Sequence, residues 1–79
     1  MITLTHPTEN EFRDAIIKEG GGVISEEWMA SAWEASHDWI GGSVCSSPYP
    51  YMGQRHIELA LHVTWQWDSG TLKVIVFRG

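Results

Sequence analysis

The sequence predicts an α+β fold: a small, mainly antiparallel sheet packed in two layers against two helices, in the order β-α-α-β-β. Three observations carry that expectation. Residues 56–67 alternate apolar and polar side chains without a break, two earlier segments have helical periodicity and cap residues, and Asp68-Ser69-Gly70-Thr71 joins the alternating run to a second apolar strand. At 79 residues with a single cysteine, the chain is one domain without an intramolecular disulfide, so its core must be dense in large side chains. Five tryptophans, two tyrosines and two phenylalanines meet that demand, because aromatic side chains bury the most area per residue.

The first element is a short strand, in which Ile2 and Leu4 alternate with Thr3 and Thr5 until His6-Pro7 stops it. It can pair with one edge of the C-terminal hairpin, which leaves the other edge open for strand addition. Helix signals follow directly. Pro7 suits a first helical turn, Thr8-Glu9-Asn10-Glu11 has the spacing of a capping box, and Glu9, Glu11 and Asp14 place negative charge near the positive end of the dipole. Phe12, Ala15, Ile16 and Glu19 share one face, and Gly20-Gly21-Gly22 ends the helix. The three glycines lack the preceding strand and the following Lys-Ser/Thr of a phosphate-binding loop, so they form a helix–helix connection.

Ser25 is the expected N-cap of a second helix reaching about Ile40, with Gly41-Gly42 as its stop. At 100° per residue, Trp28, Met29, Ala32, Trp33, Ala35, Ser36, Trp39 and Ile40 fall in one arc, and Glu27, Ser31, Glu34 and Asp38 in the opposite one. The outer face therefore carries carboxylates over about 16 Å at a rise of ~1.5 Å per residue. No lysine or arginine interrupts it.

Residues 41–55 read as a loop by composition, long for so small a domain. Within it Tyr49, between Pro48 and Pro50, and Tyr51, directly after Pro50, stand in extended chain and are either core covers or contact residues. The alternating strand then puts Ile57, Leu59, Leu61, Val63, Trp65 and Trp67 on one face. A loop of two or four residues sets Trp67 opposite Leu72, Trp65 opposite Val74 and Val63 opposite Val76, so every apolar pair shares that face. On the reverse face Thr64 meets Ile75 and His62 meets Phe77, a half-polar surface suited to self-association or covered by another segment.

Charge and motif content narrow the function. Ten acidic against five basic residues give a net charge of −5, which disfavours binding to a nucleic-acid backbone and favours a basic partner. Two helices before a hairpin are reminiscent of a winged-helix DNA reader, but the second helix would present Glu27, Glu34 and Asp38 to phosphates. No apolar run approaches the ~20 residues that span a bilayer, and the N-terminal residues show no leader pattern, so the expectation is a soluble cytoplasmic protein without a membrane association. No metal site is expected, because His56 and His62 lie about 20 Å apart at ~3.3 Å per strand residue, and His6, His37 and Cys45 stand in separate segments. No cofactor motif is present, and no local signature sets a base beside Cys45 or a serine. A non-enzymatic protein is therefore expected, with a small enzyme using Cys45 or a histidine as an alternative.

The leading functional expectation is an interaction module. Glu26, Glu27, Glu34 and Asp38 would form an acidic strip, with Trp33, Tyr49 and Tyr51 as aromatic anchors, docking on a basic surface of a protein partner. If that surface is the groove of a nucleic-acid-binding defence complex, the carboxylates imitate a phosphate backbone and the protein is an inhibitor. In size, acidity and lack of cofactor motifs the chain resembles small phage-encoded anti-defence proteins such as anti-CRISPR inhibitors, a likeness of type that would place it in a host cytoplasm. The alternative is an assembly module forming a homodimer through His62, Ile75 and Phe77 on the hairpin's reverse face.

Overall fold

The computed structural model describes residues 1–20, 24–46 and 60–79. Its elements are β1 (Ile2–Thr5), α1 (Glu9–Gly20), α2 (Glu26–Asp38), β2 (Gly41–Ser46), β3 (Leu61–Asp68) and β4 (Thr71–Arg78). The four strands form one antiparallel sheet in the order β1-β4-β3-β2, and both helices lie on one face of it. This is the α+β arrangement and the β-α-α-β-β order read from the sequence, with one further strand inserted after α2.

The hairpin register follows the alternation. Val63 stands opposite Val76, Trp65 opposite Val74 and Trp67 opposite Leu72. The turn has two residues, Ser69 and Gly70, at φ of 56° and 81°, which are the left-handed conformations that a primed turn demands. Leu61, Val63, Trp65, Leu72, Val74 and Val76 are buried against Phe12, Ala15 and Ile16 of α1 and Met29 and Ala32 of α2. Ile2 and Leu4 flank this core and Trp28, Trp33 and Trp67 pack against it, half-buried.

Each helix starts where its cap residue dictates. The Thr8 hydroxyl accepts from the Glu11 N–H at 3.2 Å and the Glu11 carboxylate accepts from the Thr8 N–H at 2.9 Å, the reciprocal pair of a capping box. Pro7 is buried ahead of that cap rather than within the first turn. Ser25 Oγ likewise accepts from the Trp28 N–H at 3.0 Å. Between β1 and α1, His6 sits at φ 49° and latches the first strand to the fourth. Its N–H donates to the Leu72 carbonyl and its Nδ1 accepts from the Leu72 N–H at 3.3 Å, while its ring meets Trp67 edge-on.

Two expectations are corrected here. Residues 41–46 are not loop but strand β2, which pairs with β3 from Gly41 opposite Gln66 to Ser46 opposite Leu61 and covers the hairpin edge expected to stay open. The glycines suit this strand physically, since a Cβ at Gly42 would meet the Trp65 ring at 3.0 Å. The alternating strand, expected from residue 56, begins at Leu61; residues 56–59 lie outside the described residues, as do Tyr49, Tyr51 and the glycines at 21 and 22.

Candidate protein-docking site

The acidic strip is built by α2, whose buried face is set by Met29, Ala32 and Ser36. Fixing that face against the sheet turns Glu27, Glu34 and Asp38 outward, and all three are exposed. Among the described residues no lysine, arginine or histidine makes an ion pair with them. Glu26 is engaged differently. Its carboxylate accepts from the Arg13 guanidinium, which also approaches Glu9 at 3.5 Å, so this acid joins α2 to α1. The hydrogen bond to Glu26 pushes the Arg13 pKa up from its ordinary value.

The large side chains at the end of α2 are not exposed in the order a helical projection gives. Trp33, expected as an aromatic contact residue, is half-buried: its ring packs on Phe12 with centroids 5.1 Å apart and on His37 at 4.3 Å. Trp39 and Ile40, placed in the apolar arc, are instead 66% and 77% exposed. The reason is where the helix stops. α2 ends at Asp38 and Trp39 is its C-cap with φ −128° and ψ 144°, so the 100° step no longer governs where positions 39 and 40 point.

The backbone beneath those side chains is held at three points. Trp67 Nε1 donates to the Ser36 carbonyl at 2.6 Å, Trp65 Nε1 donates to the Trp39 carbonyl at 3.2 Å, and the Trp67 N–H donates to the Ile40 carbonyl at 2.8 Å. Buried Trp65 and half-buried Trp67 thereby satisfy carbonyls that a helix C-terminus leaves orphaned. The result is a fixed corner between α2 and β2 whose main chain faces inward and whose two large apolar side chains face outward. Asp38 is its immediate neighbour, at the helix end where the dipole is negative and a carboxylate is unfavourable.

The residues proposed for self-association lie on the opposite side of the sheet. His62 stacks on Phe77 with ring centroids 4.9 Å apart and planes 11° from parallel, and Ile75 is 36% exposed beside them. An open concavity of about 450 Å³ on this side is lined in part by Thr64, Gln66, Lys73 and Ile75. Cys45 is exposed and stands opposite His62 across the β2–β3 ladder. The imidazole, however, is engaged through its ring face with Phe77. Among the described residues no three histidine, cysteine, aspartate or glutamate side chains gather as a metal site, and no helix is long and apolar enough to cross a membrane.

Comparison with protein-family models, with curated proteins and with solved structures gives no match.

Proposed function

We propose that this chain is an interaction module that docks on a basic protein surface through the outer face of α2 and the Trp39–Ile40 corner. The observation that carries this reading is the corner itself: Trp39 and Ile40 are exposed on a backbone pinned from below. Leaving an isoleucine-sized side chain in water forgoes about 1.5–3 kcal/mol of burial. That is a large fraction of the ~5–15 kcal/mol that holds a domain together, so a use for the exposed pair outside the fold is the economical explanation. Interfaces of this kind set an aromatic anchor in a polar rim, and the pinned main chain lowers the entropy lost when the anchor is ordered. The rim here is Glu27, Glu34 and Asp38, complementary to lysine and arginine.

Where the basic surface is one that normally holds a nucleic acid, docking occludes the phosphate path and the protein acts as a competitive inhibitor, the mode of a phage anti-defence or anti-CRISPR protein. The test is capture from the native host's lysate on the immobilised full chain, with retained proteins identified by mass spectrometry. A nucleic-acid-binding protein retained at low salt, displaced by duplex nucleic acid and lost with either Trp39→Ala or the triple Glu27→Lys/Glu34→Lys/Asp38→Lys supports the proposal. Capture insensitive to both variants and to salt contradicts it.

A second reading, a homodimer through the hairpin, is favoured by the His62–Phe77 stack and exposed Ile75 on the sheet face turned away from α1 and α2. It requires a mass that rises with concentration in sedimentation and falls to that of one chain in Phe77→Glu.

A further inference from the structure

The sheet has a second edge, and it differs from the one beside α2. β1 has β4 on one side and, among the described residues, no strand on the other. Alternate residues of Ile2–Thr5 therefore direct their N–H and C=O groups away from the sheet. Ile2 and Leu4 face the helices but remain half-buried. Between them and α1 lies a groove of about 390 Å³, with Ile2, Leu4 and Ala15 as its apolar lining and Glu11, Asp14, Lys18 and Glu19 along its helical wall.

The wall holds three carboxylates against one lysine. Glu11 is committed in part to the Thr8 cap, and Glu19 binds the Met1 ammonium at 3.0 Å, so one cation already seats at this wall. Asp14 is exposed and makes no ion pair among the described residues. An apolar floor under a carboxylate wall fits the side chains of lysine and arginine, whose aliphatic stems cover apolar surface while the charged head reaches an acid.

We propose that the β1 edge and this groove receive an extended cationic segment of a partner protein, which adds as a fifth strand. In such a strand every second side chain falls on the helical side of the sheet, over Ile2 and Leu4, where a lysine or arginine brings its charge to Asp14. Backbone pairing along β1 supplies the register, and the carboxylate wall selects the sign of charge. This site is separate from the α2 surface and stands whether or not that surface docks on anything.

The test is a titration of the isotope-labelled full chain, followed by NMR, with the capped peptide Thr-Lys-Val-Lys-Val-Lys-Thr and with its counterpart carrying glutamate for lysine. The cationic peptide is expected to bind saturably, to shift amides of β1 and those around Asp14 and Lys18, and to protect outward-facing β1 amides from exchange. Asp14→Lys should weaken it about two- to fivefold, as expected for reversing one exposed ion pair, and Asp14→Asn should weaken it less. The triple lysine variant of α2 should leave these β1 shifts in place, so failure of the α2 reading and failure of this one give different results. Equal binding of the acidic peptide, shifts confined to α2 or to the His62–Phe77 face, or indifference to both Asp14 substitutions overturns the proposal. So does pairing of β1 with a second copy of the chain in the free protein.

Discussion

Replacing Asp38 by lysine should stabilise the protein while weakening its docking. Asp38 is the last residue of α2, one turn beyond Glu34 on the same exposed face. Its carboxylate meets the negative end of the helix dipole, an effect of about 0.3 kcal/mol at the exposed end of the known range, so reversing the charge is worth about 0.6 kcal/mol. The change also converts a like-charged i,i+4 pair with Glu34 into the favoured order of glutamate before lysine, which adds about 0.4–0.8 kcal/mol. The sum is about 1 kcal/mol, or a rise in Tm of about 4–8 °C for a domain of this size. Urea and thermal unfolding followed by tryptophan fluorescence would measure it. The gain should be largest at low ionic strength and mostly absent near 1 M salt, where the Debye length is ~3 Å. A variant that is unchanged or less stable at low salt, or whose gain persists at 1 M, refutes the reasoning. A gain in stability accompanied by lost partner capture would mark Asp38 as a position held for binding at the expense of the fold.

Three further outcomes follow from the packing. Trp67→Phe removes the donor to the Ser36 carbonyl and leaves a helix-end acceptor unpaired, so it should cost about 1–3 kcal/mol by urea denaturation, whereas Trp39→Ala should stay within about 0.5 kcal/mol. Gly42→Ala drives a methyl to 3.0 Å from the Trp65 ring and should destabilise by about 1–3 kcal/mol, while Gly41→Ala, whose new methyl meets its nearest atom at 3.4 Å, should cost less; paired thermal melts distinguish them. Thr8→Ala breaks the capping box of α1 and should cost about 1 kcal/mol, read as a lower urea midpoint at unchanged slope.

The register of β3 and β4 is legible in the sequence because both strands alternate and only an even-numbered loop puts all apolar pairs on one face. The caps are legible for a similar reason, since Thr8 and Ser25 act within three residues of themselves. β2 is not legible, because Gly41-Gly42-Ser43 has almost no side-chain pattern and becomes strand through its partner. Gly42 is small because Trp65 fills the space above it, a tertiary cause that composition reads as a loop. The proposed docking surface is half legible. The acidic face follows from where the apolar arc lies, whereas the anchor depends on where α2 ends. Extending the helix two residues too far moves Trp39 and Ile40 from surface to core, and Trp33 is covered by Phe12 of a neighbouring helix that no single-helix projection contains.

The pairing of β1 with β4 sets a consequence for how the molecule opens and closes. Ile2 stands opposite Val76, so this ladder joins residues from nearly opposite ends of the sequence and closes the longest loop in the fold. It is a late and slow contact to form by topology, and with four residues it is short. β1 should therefore be the first strand to fray, with its amides exchanging by local opening while those of β3 and the inner part of β4 wait for global unfolding. When β1 lifts, it bares the β4 edge beside it. The His6–Leu72 latch then acts as a hinge pin, holding one end of the strand in place so that it can close again onto the same register.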